Sequence, residues 1–164
     1  MKTFQQYAAL PWRRVSELEI LLITSRETPR WVIPKGWPMD GLSEAEAAAQ
    51  EAYEEAGIRG DMATPSAGIY TYAKRVRGGG NTRCQVDVFA MEVTEILDLW
   101  PEAHQRRRQW FSTQEAAARV NEPELAEIIR GVAAGLSAQA LPAPTYLQAI
   151  WRQLARLLRF VGLR

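Results

Sequence analysis

Apolar residues fall in three short runs in the N-terminal part of the chain, each ended by charged or turn-forming residues. The runs cover residues 4–10, 18–24 and 31–34, and the second, LEILLIT, interrupts its apolar residues with a single glutamate. Short apolar runs bounded by turn signals are typical of strands buried in a sheet. We therefore predict three strands here, with Pro11 ending the first and Pro34 ending the third.

The pattern changes to a helical one after the turn residues that follow Gly36. Ser43 is a good N-cap residue, and Glu46 three positions later completes the pattern of a capping box. An alanine-rich stretch then runs to Gly57, a residue type that commonly ends helices in a left-handed conformation. These signals predict a helix over residues 44–56.

Apolar and β-branched residues return beyond this helix and predict three more strands, at residues 66–74, 83–93 and 109–111. Ser112 with Glu115 is a second capping-box pattern, which starts a predicted helix over residues 114–120. Pro123 starts another helix, which we expect to end near Ala134. The order of strands and helices predicts an α+β fold, an α/β/α sandwich around a mixed sheet.

The C-terminal segment has a different pattern from the rest of the chain. Residues 135–145 are rich in Gly, Ser, Ala and Pro and predict a linker after a domain of residues 1–134. Residues 146–164 place apolar and basic residues on different faces of a helix and contain no acidic residue. Such an amphipathic helix packs on its own domain, on a second copy in a homodimer, or on a membrane surface. We favour packing, because most amphipathic helices bury their apolar face in protein.

Composition places the chain among globular proteins with one ordinary domain. Its 164 residues are 47% hydrophobic and 24% charged, a balance that supports a folded core. The net charge is +1, which excludes a global positive field, and we expect no nucleic-acid partner. Cys84 is the single cysteine and the N-terminus has no long apolar stretch, so we expect a cytoplasmic protein without disulfides.

Three glutamates of the predicted helix lie on one face. Glu51, Glu54 and Glu55 have the spacing i, i+3 and i+4, which brings like charges together within one turn. Glutamates alone are most often a solvated helix face, but here a glycine-containing turn leads directly into the helix. Carboxylate oxygens are hard ligands suited to Mg²⁺ or Mn²⁺, and Mg²⁺ is commonly shared between carboxylates and substrate phosphates. This face therefore predicts half of a metal site that a phosphorylated small molecule completes.

The segment from Gly36 to Ile58 resembles the Nudix box, the loop–helix–loop signature of the Nudix hydrolase superfamily. Its spacing is intact, and the matching positions after the first glycine are Glu51, Ala52, Glu54, Glu55, Gly57 and Ile58. Two positions depart from the family pattern, because Leu42 stands where a glutamate is usual and Gln50 where an arginine is usual. A match of this length in a strand–loop–helix context is far more specific than a single glycine motif.

The resemblance implies a Nudix-type fold and metal-dependent hydrolysis of a nucleoside diphosphate linked to another group, or of a related pyrophosphate. It implies that Glu51, Glu54 and Glu55 are catalytic residues that bind Mg²⁺ or Mn²⁺. It also implies that the backbone carbonyl near Gly36 completes the coordination. Metal ions in such a site neutralise charge on the phosphates and activate a water molecule.

The two departures leave the three glutamates in place. In the family, the missing glutamate and arginine commonly form a supporting pair, and loss of both partners can be nearly neutral where loss of one is costly. Gln50 can also donate a hydrogen bond to a neighbouring carboxylate. We therefore expect an active enzyme. The alternative is a degenerate domain that binds nucleotides or a protein partner without hydrolysis.

Two further segments, LLITSRETPRWVIPKG and QRRRQWF, resemble the diphosphoinositol polyphosphate and diadenosine polyphosphate phosphohydrolases. This likeness implies a substrate with several phosphates in a row. Side chains placed as in that group are the expected substrate-binding residues, namely Ser25, Arg26, Arg30, Lys74 and Arg75. Gln5, Gln6 and Tyr7 stand where inositol-directed members carry a basic cluster, so we favour a dinucleoside polyphosphate or another nucleotide pyrophosphate.

The sequence leaves two interpretations for a few charged and aromatic residues. Arg77, Arg83 and residues 106–108 are equally consistent with substrate contacts and with ordinary solvated charges. Trp37, in the loop before the helix, is consistent with either a core position or a ligand contact.

Overall fold

The structure, a computed structural model, describes residues 3–75 and 80–140, except for the side chains of Arg75 and Ala140. The strands are β1 (Thr3–Arg14), β2 (Leu18–Thr24), β3 (Trp31–Val32), β4 (Lys35–Gly36), β5 (Ile58–Met62), β6 (Gly68–Arg75), β7 (Asn81–Ile96) and β8 (Arg108–Ser112). The helices are α1 (Glu44–Ala56), α2 (Thr113–Arg119) and α3 (Pro123–Ala140). The first compact unit of the chain is Met1–Ala133, and it contains the whole sheet.

The described strands form one mixed sheet. Its central path is β3-β2-β1-β7-β5, while β4 pairs with β1, β6 pairs with β7 and β8 pairs with β2. The pair of β1 and β7 is parallel, in a register that runs from Thr3 opposite Arg83 to Trp12 opposite Glu92. The other pairs are antiparallel. A parallel pair at the centre with antiparallel pairs around it confirms the predicted mixed sheet.

Side chains of the central strands alternate between the two faces of the sheet. On one face, Ile20 of β2 belongs to a core cluster with Ala116 of α2 and Ile129 of α3. On the other face, the next residue, Leu21, belongs to a second cluster with Ala52 of α1. Helices therefore cover both faces, which confirms the predicted α/β/α sandwich.

Helix α1 begins and ends where the sequence signals predict. The Ser43 hydroxyl accepts a hydrogen bond from the Glu46 N–H at 3.3 Å, and the Glu46 carboxylate accepts one from the Ser43 N–H at 2.7 Å. Gly57 ends the helix with a φ of 61°, a left-handed conformation that glycine adopts without strain. The second capping box, at Ser112 and Glu115, is confirmed at the start of α2.

Three parts of the sheet differ from the prediction. The strand predicted over residues 31–34 ends at Val32, and β4 forms after Pro34, where it pairs with β1 instead of β2. β1 does not end at Pro11 but continues to Arg14, because its antiparallel partner changes from β4 to β2 there and the proline falls between the two paired stretches. β5 is not predicted, because its sequence, IRGDM, contains no apolar run. It forms because β7 extends to Ile96 and offers it a partner along that edge.

The end of α3 also differs from the prediction. The helix runs past Ala134 to Ala140, into the segment predicted as a linker. Leucine, alanine and glutamine are good helix formers, and a single glycine costs only about 1 kcal/mol, so the helix continues. The rest of that segment and the predicted helix over residues 146–164 lie outside the described residues. None of the described helices is long and apolar enough to cross a membrane.

Candidate active site

One cleft, of about 820 Å³, lies where six parts of the chain meet. These are β1, the loop after β2, the segment from β4 to α1, the end of β6, the loop before β8, and the connection between α2 and α3. Its charged and aromatic lining residues are Arg26, Glu27, Arg30, Lys35, Trp37, Glu51, Glu54, Glu55, Tyr72, Lys74, Glu102 and Arg106. The cleft therefore brings together acidic and basic side chains that are far apart in the sequence.

The three predicted glutamates all line this cleft from one face of α1. Gly36 lies directly against Glu51, because a Cβ atom added at position 36 would overlap the carboxylate of that residue. Glycine is required here for close approach rather than for an unusual backbone angle, since β4 is ordinary strand paired with Tyr7 of β1. Gly36 is therefore a close neighbour of Glu51, and the part of its carbonyl in holding a metal stays a prediction.

Glu55 is buried and both of its carboxylate oxygens have partners. The guanidinium of Arg106 donates to Oε1, and the backbone N–H of Lys35 donates to Oε2 at 3.0 Å. Arg106 is buried as well, and charged groups that are buried together must satisfy one another's hydrogen bonds. Glu55 is therefore held in one orientation by a residue from a distant loop.

Arg106 also joins a fourth carboxylate to the site. Its Nε donates to Glu102 at 2.6 Å, and its Nη1 donates to the backbone carbonyl of Thr24 at 3.1 Å. Arg26 lies 3.6 Å from the other oxygen of Glu102. The sequence does not predict Glu102 as a site residue, and it leaves two interpretations of Arg106, a substrate contact or a solvated charge. The QRRRQWF segment indicates only that this loop is similar to that of related hydrolases. The pattern could not say which arginine points inward.

Burial and crowding shift the acid–base behaviour of the glutamates. Burial, followed by the charges of Glu55, Glu54 and Glu102, raises the pKa of Glu51 to about 7. Burial also raises the pKa of Glu55, although Arg106 and Lys35 oppose that change. Carboxylates outnumber the cations that touch them at this end of the cleft, so a bound cation would relieve their repulsion.

The expected role of Gln50 agrees with the structure, whereas the expected role of Leu42 does not. The Gln50 amide donates to Oε1 of Glu54 at 2.6 Å, which confirms the predicted hydrogen bond to a neighbouring carboxylate. Leu42 is 42% exposed, so the idea of a buried charge pair replaced together is wrong at that position. An exposed residue can change from charged to apolar at little cost, because no buried partner depends on it.

Four of the five predicted substrate-binding residues line the cleft, namely Ser25, Arg26, Arg30 and Lys74. Arg75 is the last residue of β6, and its side chain lies outside the described part of the structure. Arg30 donates to Glu122 at 3.0 Å, so part of its charge is already balanced. Lys74 lies over the ring of Trp37, with its Nζ 4.7 Å from the ring centroid.

Three lining residues near these cations are not predicted from the sequence. Burial lowers the pKa of the Lys35 ammonium, and the nearby charge of Glu55 opposes that change. The hydroxyl of Tyr72 donates to the side-chain carbonyl of Gln6 at 2.7 Å. A local signal existed for Lys35, which precedes Gly36, and for Tyr72, which shares a strand face with Lys74.

The donor set fits a divalent cation. Among residues 3–75 and 80–140, no three His, Cys, Asp or Glu side chains already have the arrangement of a metal centre. Glu55 is occupied by Arg106, which leaves Glu51, Glu54 and the backbone at Gly36 as the more available oxygens. Mg²⁺ commonly binds one or two protein carboxylates and takes its other ligands from water and substrate phosphates. A site completed by the substrate is therefore consistent with these residues.

Comparisons with known proteins agree with the fold and the motif. The NUDIX domain model matches residues 5–132. The chain is 35% identical over 109 residues to Nudix hydrolase 13, mitochondrial, of Arabidopsis thaliana. The aligned region covers 62% of this chain and 52% of that protein. It is 31% identical over 135 residues to diphosphoinositol polyphosphate phosphohydrolase 2 of Rattus norvegicus, which covers 79% of this chain and 71% of that protein.

A solved structure of C. elegans Ap4A hydrolase resembles the chain with a TM-score of 0.60 at 19% identity, covering 82% of this chain and 99% of the other. At that identity the likeness shows the fold. The chain spans about half the length of the plant relatives that it matches. Because the NUDIX domain model covers most of the chain and a relative above 30% identity matches over most of its own length, the chain belongs to the NUDIX family.

Proposed function

We propose that the protein is a metal-dependent pyrophosphohydrolase whose substrate is a dinucleoside polyphosphate or a related nucleotide pyrophosphate. The observation that carries the proposal is the cleft itself. The three glutamates of α1 line this cleft, and so do Arg26 and Lys74, which come from two other parts of the chain. A pyrophosphate needs both features, because its charge must be bound and its bridging bond must be activated.

The residues of this chain have separable parts in that reaction. Glu51 and Glu54, with the backbone carbonyl at Gly36, would hold Mg²⁺ or Mn²⁺, which when bound neutralises phosphate charge and lowers the pKa of water. Arg26 and Lys74 would donate charge-assisted hydrogen bonds to phosphate oxygens. Glu55 would stay paired with Arg106 and so hold α1 against the loop before β8.

The substrate class is supported by the number and pairing of the cations. In the described part of the chain, the basic residues that line the cleft are Arg26, Arg30, Lys35, Lys74 and Arg106. Arg30 is paired with Glu122, Arg106 with Glu55 and Glu102, and Arg26 more loosely with Glu102 at 3.6 Å. The names of two similar proteins refer to diphosphoinositol polyphosphates and to Ap4A. Few of the cleft cations in this part of the chain are without a carboxylate partner. This favours the less heavily phosphorylated of the two compounds, a dinucleoside polyphosphate.

A second candidate function is binding without hydrolysis. The observation in its favour is that Glu55, one of the three glutamates of the motif, is engaged on both oxygens by protein groups. A domain of this kind would still bind nucleotides through the basic side of the cleft. The two candidates differ in turnover and share ligand binding, so one assay separates them.

The test uses diadenosine polyphosphates, ADP-ribose, deoxynucleoside triphosphates and inositol pyrophosphates as substrates, with Mg²⁺ or Mn²⁺. We expect turnover of a dinucleoside polyphosphate, and Glu54→Gln should lower kcat at least about 100-fold with the fold intact. Glu44→Gln is the matched control, because Glu44 lies on the same helix but is exposed and outside the cleft. No turnover of any substrate, combined with a raised unfolding temperature on adding nucleotides, would establish the binding function instead.

Several finer expectations stay predictions. They are the cytoplasmic location, the homodimer, and the contact of residues 146–164 with a membrane surface. Deleting residues 143–164 tests the last two through size-exclusion chromatography and vesicle sedimentation. Loss of vesicle binding with unchanged activity would support the membrane contact, and loss of a dimer would support packing between copies.

A further inference from the structure

Trp37 is a large aromatic residue that stays 43% exposed at the edge of the cleft. It directly follows Gly36, whose Cα lies against the carboxylate of Glu51. Adjacent Cα atoms are about 3.8 Å apart, so the backbone that carries the ring begins one residue from the glutamate side of the cleft. An indole in this place contributes little to either core cluster, since neither includes it.

Two contacts hold the ring, one of them over a ring face, and still leave the residue 43% exposed. Phe4 of β1 meets it edge-to-face, with ring centroids 5.9 Å apart and an angle of 71° between the planes. Lys74 of β6 places its ammonium 4.7 Å from the centroid, within the range of a cation–π interaction. Aromatic pairs and cation–π contacts restrict the rotation of a side chain. The Trp37 ring is therefore held in one orientation at the edge of the cleft.

A flat aromatic surface beside a phosphate site is suited to a nucleobase. A base has a π face that stacks on an indole, and the gain is largely independent of which base it is. A polyphosphorylated inositol has no such plane and carries anionic groups around its ring, which the electron-rich face of an indole does not favour. The Lys74 ammonium lies over a face of the ring, so a stacking base would displace it, and the flexible lysine would then bind the phosphate next to the nucleoside.

Exposure alone does not distinguish Trp37, because Leu42 in the same loop is exposed to almost the same extent. The difference between the two is their surroundings. Leu42 does not line the cleft, whereas Trp37 does and has both an aromatic neighbour and a cation in contact. Leu42 is therefore the natural control for effects that come only from removing an exposed apolar side chain.

We propose that Trp37, supported by Phe4 and Lys74, is the surface on which the base of a nucleoside polyphosphate stacks. This inference rests on the proposed function and names the part of the substrate that the cleft recognises apart from its phosphates. It makes Trp37 a substrate-binding residue, and it predicts that the enzyme distinguishes nucleotides from phosphorylated compounds that lack a base.

The experiment measures dissociation constants of AMP and of ribose 5-phosphate, which differ by the base, by isothermal titration calorimetry with the full chain. The variants are Trp37→Leu, which keeps apolar bulk without the aromatic plane, Trp37→Phe, which keeps a ring, and Leu42→Ala. We expect the wild type to bind AMP more tightly, by roughly 5- to 150-fold. Trp37→Leu should lose most of that preference, Trp37→Phe should keep part of it, and Leu42→Ala should keep all of it.

A second reading comes from hydrolysis of diadenosine tetraphosphate, where Trp37→Leu should raise KM and leave kcat close to the wild-type value. The inference is overturned if wild type binds the two probes equally, or if Trp37→Leu binds AMP as wild type does. It is also overturned if Trp37→Leu weakens both probes to the same degree. Binding needs no turnover, so a wild type that hydrolyses nothing would refute the proposed activity while the binding constants still decide the role of Trp37.

Discussion

Helix α1 and the loop of residues 101–107, here called the arginine loop, both send charged side chains into the cleft, yet they are specified in different ways. α1 has a capping box at Ser43 and a left-handed glycine at its end, so local signals determine its limits. The arginine loop has no comparable signal in its sequence. Arg106 is buried because Glu55 of α1 and the carbonyl of Thr24 lie where it can reach them.

The difference shows how a catalytic motif depends on residues outside it. The motif supplies three carboxylates on one helix, and carboxylates that are crowded together repel one another. At position 50 the usual cation of the motif is replaced by glutamine, which serves Glu54 through a neutral hydrogen bond. The charge that balances Glu55 comes instead from the arginine loop. Local contacts therefore define the helix, and a distant cation makes its buried charge tolerable.

The largest expected effect is on the contact between these two regions. Arg106→Met leaves Glu55 buried without its cation, and loss of one partner of a buried pair costs about 3–5 kcal/mol. We expect the free energy of unfolding in urea to fall by that amount. Arg107→Met is the control, because Arg107 is exposed and adjacent, and its change should stay within about 0.5 kcal/mol.

A double variant sharpens the same comparison. Adding Glu55→Gln to Arg106→Met removes the unpaired charge, so most of the lost stability should return. Urea unfolding of the two single variants and the double variant completes the cycle. Additive losses would mean that the two side chains stabilise the fold independently, which would contradict the role given to the arginine loop.

The second effect concerns the contact of β4 with α1. Gly36→Ala places a methyl group where the carboxylate of Glu51 lies, and the flexible glutamate must move away. We expect affinity for Mg²⁺, measured by calorimetry with a non-hydrolysable substrate analogue, to fall about 10- to 100-fold, because a displaced metal ligand is mispositioned. The free energy of unfolding should change by less than about 1.5 kcal/mol.

Gly131→Ala is the matched control for that substitution. Gly131 lies in α3, and a Cβ atom there meets nothing within 4 Å. Alanine is the better helix former, so this variant should be more stable by about 0.5–1 kcal/mol and bind Mg²⁺ normally. An unchanged Mg²⁺ affinity in Gly36→Ala would show that Glu51 does not hold the metal from its present position.

Local signals were enough to predict much of the fold and one side of the site. The limits of α1 follow from Ser43, Glu46 and Gly57, and the strand LEILLIT follows from its apolar residues. The face that carries Glu51, Glu54 and Glu55 follows from helical spacing alone. Each of these features depends on residues that are close together in the chain, and short-range physical chemistry is sufficient for them.

The remaining features depend on partners that are far away in the chain. β5 exists because β7 is long enough to pair with it, and β1 passes Pro11 because its partner changes there. The burial of Arg106, rather than of its exposed neighbour Arg107, follows from the position of Glu55 about fifty residues earlier. Without the topology of the sheet, no property of the arginine run distinguishes one arginine from the next.

A smaller effect is expected for the local signals themselves. Ser43→Ala removes the hydroxyl that accepts the N–H of Glu46, and loss of such a cap costs about 1 kcal/mol. Ser112→Ala, in the same motif at α2, should cost a similar amount in urea unfolding. A cost for Ser43→Ala as large as that of Arg106→Met would mean that local capping, and not the distant cation, dominates the stability of α1.

The smallest effect is a change of stability with pH at the same cap. The backbone N–H of Ser43 donates to the Glu46 carboxylate and lowers its pKa in the folded state. A carboxyl group with a lowered folded pKa stabilises the fold above its unfolded pKa, near 4.5, and that contribution is lost as the pH falls through the folded value. Glu46→Gln keeps a side-chain oxygen that can accept the bond but does not titrate. Wild type should therefore be the more stable protein at pH 7, and the difference in thermal midpoint should shrink as the solution is acidified to pH 3. A difference that stays constant across this range would show that the charge on Glu46 adds nothing to the cap.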